Sequence, residues 1–254
     1  MNALFQQAAR IWARWPLPRA AACMVLGYHR VDSDTGDPGL TVQPSTFAAQ
    51  AAHLAAQREH LPVLDLRDAL EQVAAGALRR SVVLTFDDAW ADNHTHALGP
   101  LVEHRLPATV YVPSRLLGTP GYMSTTQLLE MVAAGVVVGA HSRTHPDLRA
   151  CSDTELEDEV RGSREDLEDL IGSAVTSFAY PTGFTDQRVR GAVEAAGFRS
   201  AVTTKRGWTR AGVDPFGIPR NFVEEFGVAT FAAAARGGLN VVGPVDAVKG
   251  LLGH

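Results

Sequence analysis

Apolar and polar positions come in alternating blocks along the chain. Short apolar runs rich in β-branched residues are followed repeatedly by longer stretches whose apolar residues recur at helical spacing. The pattern predicts strands at Met24–Tyr28, Val82–Phe86, Ala108–Val112, Val136–Ala140, Thr176–Ala179 and Ser200–Thr203, with a short piece near Ile218–Arg220. It predicts helices at Pro44–Arg58, Leu66–Gly76, Ala91–Glu103, Thr125–Ala134, Ser152–Ile171, Asp186–Ala196 and Phe226–Arg236. Val82-Val83-Leu84 is apolar at successive positions, as strands covered on both faces of a parallel sheet are. Repeated strand–helix units over this length predict a (β/α) barrel or a doubly wound sheet. Neither a repeat nor a low-complexity linker interrupts the chain. The expectation is one domain over residues 21–254, preceded by an extension at 1–20, with the Gly-rich tail Gly237–His254 carrying the weakest pattern.

Composition narrows the class. A chain of 254 residues can bury a sizeable core, and 46% hydrophobic with 20% charged residues reads as globular. The net charge of −5, with no Lys/Arg stripe, excludes a nucleic-acid binder. Two cysteines, Cys23 and Cys151, make no disulfide framework and are compatible with a reducing compartment. No run approaches the roughly 18 apolar residues of a membrane span. Pro18 and Arg19 interrupt the apolar stretch from Leu17, unlike a secretory signal, so the expected location is cytoplasmic. Within residues 1–20, Phe5, Ile11, Trp12 and Trp15 suit a weak amphipathic helix, docked on the domain or touching a membrane surface.

The chemically interesting residues fall just after predicted strands: His29, the pair Asp87-Asp88, and His141. In barrels those strand ends gather on one face and build the active site. Asp87-Asp88 alone also reads as a helix cap beside a solvated acid. His141 and His145 alone also read as surface loop histidines. Together they supply the two imidazoles and one carboxylate that a catalytic metal takes, with one acid left over as a base for metal-assisted hydrolysis. His94 and His96 are expected to be helix residues near the site mouth without a catalytic role.

The segment TFDDAWADNHTHALGPLVEHRLPATVYVP resembles the first motif region of polysaccharide deacetylases, carbohydrate esterase family 4. MSTTQLLEMVAAGVVVGAHSRTHPDL resembles the second, and FAYPTG the third; together they run from about Leu26 to Asn221. The resemblance implies a distorted (β/α)7-type barrel, with Asp88, His141 and His145 holding a divalent metal and Asp87 as general base. The implied ion is zinc, with cobalt, nickel or manganese as alternatives. The opening GYHRVDSD is similar to the branch that includes poly-N-acetylglucosamine deacetylases, in which His29 would supply the general acid. Tyr180 and Thr182 fall where the third motif meets the substrate and its oxyanion. The implied reaction removes N-acetyl groups from an N-acetylated sugar or polysaccharide.

Three departures bear on that expectation. Ala89 replaces the family's Gly, a small change unless the position needs a positive φ. Ala179 and Thr182 stand where chitin-type members carry an Arg and an aromatic. Arg220 is the candidate to replace the lost guanidinium from across the barrel mouth. A related O-acetyl esterase, an amidohydrolase acting on a non-peptide C–N bond, and a catalytically silent sugar-binding barrel remain alternatives.

Overall fold

In the computed structural model, residues 22–34, 39–77 and 80–237 are described. The expectations for residues 1–20 and for most of the tail lie outside them. Ten strands are present among these residues: β1 (Ala22–Tyr28), β2 (Arg30–Val31), β3 (Thr41–Val42), β4 (Arg80–Phe86), β5 (Ala108–Val112), β6 (Val137–Ala140), β7 (Ser177–Ala179), β8 (Ser200–Val202), β9 (Thr209–Arg210) and β10 (Asn221–Phe222). Seven α-helices accompany them: α1 (Pro44–Ala56), α2 (Leu66–Ala74), α3 (Leu98–His104), α4 (Thr125–Ala133), α5 (Asp153–Ile171), α6 (Gln187–Ala195) and α7 (Val228–Ala235).

The main sheet runs β10-β1-β4-β5-β6-β7-β8, with every neighbouring pair parallel. β9 joins antiparallel at the start of β1, and β2 and β3 form a separate two-stranded ladder. The sheet curls until one segment reaches both of its ends. Ile218 N–H donates to Ala201 O at 3.0 Å, Thr203 N–H donates to Ile218 O at 2.9 Å, and Asn221 pairs with Leu26 of β1. Residues 218–222 therefore close the seam, and the fold is the distorted (β/α)7 barrel.

Strand alternation sorts the side chains. Met24, Leu26, Tyr28, Val82, Leu84 and Phe86 pack outward under the helices. Cys23, Val25, Val83, Tyr111, Ala179, Val202 and Ile218 point into the lumen. Leu66, Ala69 and Val73 of α2 join this inner cluster and stopper the end where the strands begin. The lumen is thus packed, and the acids and histidines gather at its other end. Cys23 and Cys151 are unpaired thiols, the first fully buried in the lumen. Among the described residues no helix is long and apolar enough to cross a membrane.

The elements differ from the predicted ones in few places. The helix expected over Ala91–Glu103 contains a π-helical turn, Asn93–Ala97, leading into α3. Tertiary bonds tie this wide turn to the chain beyond β1: Asn93 donates its side-chain amide to His29 O at 2.8 Å, and Asp92 accepts Val31 N–H at 2.9 Å. The strand expected near Ile218–Arg220 lies at Asn221–Phe222, and Ile218 makes a single bridge to Val202. Ser152, expected as a helical residue, is the N-cap of α5 and forms a reciprocal capping box with Glu155. The two-residue strands β2, β3 and β9 have no counterpart in the sequence pattern, being too short to show a period.

Candidate metal and catalytic centre

The β4 alternation that puts Val83 and Thr85 in the lumen carries Asp87 to its mouth. Asp87 is only 3% exposed, and a buried carboxylate needs a partner. Arg220 provides it. Its two terminal nitrogens donate to Asp87 Oδ1 and Oδ2, each at 2.6 Å, the bidentate geometry that suits guanidinium and carboxylate. Arg220 is itself fully buried, donates Nε to Thr203 O at 3.1 Å, and lies over the rings of Phe222 and Tyr111. Burial works to raise the Asp87 pKa, but the guanidinium more than offsets it and holds the carboxyl below its ordinary range.

The next two residues break the alternation. Asp88 has φ 71° and Ala89 φ 57°, so the backbone turns left-handed twice in succession. Such a conformation costs an L-residue about 1–2 kcal/mol. The methyl group of Ala89 is therefore not neutral, since the position takes the conformation that glycine prefers. The turn swings Asp88 away from Arg220 and toward the loop after β6. There Asp88 Oδ1 lies 3.5 Å from His141 Nε2 and 3.5 Å from His145 Nε2. Two donors each about 2.1 Å from a tetrahedral ion stand about 3.4 Å apart, so this spacing fits a bound zinc-sized cation. The ligand atoms of Asp88, His141 and His145 all lie within 4.8 Å of one another, and no other such cluster occurs among the described residues.

Two of the three prospective ligands are oriented by outer partners. His141 Nδ1–H donates to Ala179 O at 2.7 Å, which leaves the Nε2 lone pair facing Asp88. Trp90 Nε1–H donates to Asp88 Oδ2 at 3.0 Å, leaving Oδ1 for the histidines. Trp90 in turn stacks on Tyr122 at 4.6 Å, and the Arg30 guanidinium lies over its ring at 5.2 Å. The sequence holds a signal for Trp90 only in its place two residues after Asp88.

A cavity of about 340 Å³ opens over these groups, lined among others by His29, Leu40, Thr182, Gly183 and Phe222. His29 stacks on Phe222 at 4.9 Å, and burial, the largest influence, pushes its pKa down. Gly27 is what lets Phe222 approach, since a Cβ there would stand 2.7 Å from the ring. Thr182 sits at φ 61° in a tight turn on the cavity wall. Tyr180 also lines the cavity, but its hydroxyl donates to Phe216 O at 3.1 Å. His94 lies apart from the cluster, 2.6 Å from Glu130, on the π-helical turn that also carries His96.

The polysaccharide deacetylase family model matches residues 75–201, half of the chain. A chitooligosaccharide deacetylase of Bradyrhizobium sp. (strain ANU 289) is 34% identical over 139 residues, which is 53% of this chain and 62% of that protein. One from Rhizobium leguminosarum bv. trifolii is 34% identical over 145 residues, 55% of this chain and 65% of that one. This chain thus spans less than two thirds of the length of these curated relatives. Among solved structures, a polysaccharide deacetylase from Bacillus cereus superposes with a TM-score of 0.76 at 27% identity, covering 87% of this chain and 70% of that one. IcaB from Ammonifex degensii superposes with a TM-score of 0.75 at 24% identity, over 86% and 98% of the two chains, a likeness of fold. The matched region contains the Asp87-Asp88 pair and the His141/His145 loop, and on these grounds the chain belongs to the polysaccharide deacetylase family.

Proposed function

We propose that this chain is a metal-dependent hydrolase that removes N-acetyl groups from an N-acetylated sugar or polysaccharide. The observation that carries the reading is a division of labour between adjacent acids. Asp88 faces His141 and His145, while Asp87 is turned from them and pinned by Arg220. A binding module would need neither arrangement.

A divalent ion held by Asp88, His141 and His145 would polarise the acetyl carbonyl and acidify a water at the cavity floor. Two imidazoles and one carboxylate suit zinc best, with cobalt, nickel and manganese as alternatives. Asp87, kept ionised by Arg220, accepts the proton of the attacking water. The backbone N–H of Thr182 serves the developing oxyanion, a role that fits its place on the cavity wall. Tyr180 shapes that wall by packing, since its hydroxyl is committed to Phe216.

An amide leaves only if its nitrogen is protonated, and His29 is the group assigned to that step. It shares the cavity with both acids and is held by Phe222. Replacing His29 with Ala is expected to lower turnover by about 10²–10⁴-fold and to leave metal affinity unchanged. Near-normal turnover in that variant would remove His29 from the scheme.

The test of the whole reading is acetate release, followed alongside loss of acetyl mass, from N-acetylglucosamine oligomers. Hydrolysis is expected in the zinc-loaded protein, to vanish after exhaustive chelation and to return with added zinc. Full turnover without metal would overturn the proposal.

A further inference from the structure

We propose that Glu159 is a positioning residue that holds the His141–His145 loop in its metal-receiving shape. This rests on the metal reading above and adds to it a residue outside the centre. Helix α5 is crowded with acids, most of them at its surface, but Glu159 is only 8% exposed. A buried carboxylate is costly unless charge or hydrogen bonds compensate it. Among the described residues Glu159 has no ion pair within 4.0 Å. Its compensation is the loop itself. Glu159 Oε2 accepts the N–H groups of Arg143 at 2.8 Å and Thr144 at 2.9 Å, and Oε1 accepts the Thr144 hydroxyl at 2.5 Å.

These contacts fall between the two histidines, where the backbone most needs holding. Ser142 and His145 both have φ 62°, a conformation that L-residues keep only under constraint. Ser142 Oγ accepts His145 N–H at 2.9 Å, which closes the turn from within. On the other side, Ser114 and Arg115 donate their N–H groups to Ser142 O and Arg143 O. The loop's peptide groups are therefore gripped from two directions, and Glu159 supplies the grip from α5.

The same helix face disposes of the intervening side chain. Arg143 donates to both oxygens of Asp166 at 2.8 and 2.7 Å and lies across Gly162, where a Cβ would meet the guanidinium. Glu159, Gly162 and Asp166 are spaced at i, i+3 and i+7, one stripe of the helix. Asp166 anchors the side chain of Arg143, whereas Glu159 alone binds the peptide N–H groups. Of these two contacts, the second acts on the backbone that leads into His145.

The test is zinc affinity of the full chain, measured by competition with a chromophoric chelator, alongside the thermal melt of the metal-free protein. Glu159→Ala is expected to weaken zinc binding about 10- to 100-fold, the range for lost outer-shell partners. It should also alter the visible spectrum of the cobalt-substituted protein, while KM for the acetylated oligomer stays near wild type. Glu159→Gln should recover most of the affinity, since its carbonyl accepts the two N–H groups and its amide can donate to Thr144 Oγ. Should Glu159→Ala lack a cooperative melt, Glu159→Asp replaces it, with the carboxylate withdrawn by one methylene and the same loss expected. Wild-type affinity and cobalt spectrum in the folded variant would overturn the role of Glu159 alone. A wild-type chain that takes up no zinc would overturn the metal reading, and this one with it.

Discussion

Replacing His141 with Leu is expected to abolish stoichiometric zinc binding and deacetylation together. His141 is 2% exposed, so Leu fills its site with little change in packed volume and the barrel should still fold. The change removes the one ligand whose tautomer is fixed by a buried hydrogen bond, that to Ala179 O. It leaves Asp88 and His145, a remnant of two donors 3.5 Å apart. Affinity should fall by more than the roughly 100-fold upper range for outer-shell changes. Chelator competition and metal analysis after dialysis measure the loss. A variant that retained one tightly held equivalent of zinc would remove His141 from the ligand set.

The second large effect is expected at Arg220. Arg220→Met removes the charge and both hydrogen bonds from Asp87 while filling much of the volume. Breaking a buried ion pair from one side costs about 3–5 kcal/mol, because the remaining charge stays buried without compensation. Urea denaturation of the variant should show a loss of this size. Turnover should fall toward the level of a missing base, about 10²–10⁴-fold.

The pH dependence of Arg220→Met follows from the sign of the Asp87 shift. In the wild type Arg220 lowers the Asp87 pKa in the folded protein. The pair's stabilisation is therefore fully present above the ordinary carboxylate pKa and is lost as pH falls through the depressed value. Without Arg220, burial is opposed only by the smaller influences of His141 and His29, and the carboxyl titrates at higher pH. The acid limb of the rate profile should move upward in Arg220→Met, and an unmoved limb would separate Arg220 from the ionisation of the base. The double change Asp87→Leu with Arg220→Met should recover stability without recovering activity, since apolar replacement of both partners is often neutral.

Much of this centre was legible in the chain itself. Asp87-Asp88 follows a strand with the apolar run Val82-Val83-Leu84, and His141 ends another, so the pattern alone puts both on one barrel face. What remained hidden has physical causes. Arg220 is anticipated only through the motif residue it replaces, since it meets Asp87 across 133 residues and no periodicity reports a pairing at that separation. The left-handed turn at Ala89 was foreseen only as a condition, because alanine carries no mark of positive φ. The π-helical turn at Asn93–Ala97 is a single turn drawn by tertiary bonds, which a helical pattern absorbs without trace. Glu159 was invisible because α5 also carries Glu155, Glu157, Asp158 and Glu165, and nothing in their spelling shows which one is buried.

Residues 218–222 join the first and last strands of the barrel, and Arg220 sits in the middle of them. The metal ligands come from β4 and β6, which pair through β5 without that segment. A folding chain could thus assemble its cation pocket early and still lack an oriented base until the final stave is locked in place. Catalytic readiness would then report on completion of the barrel, so that partly folded molecules could sequester metal without hydrolysing anything.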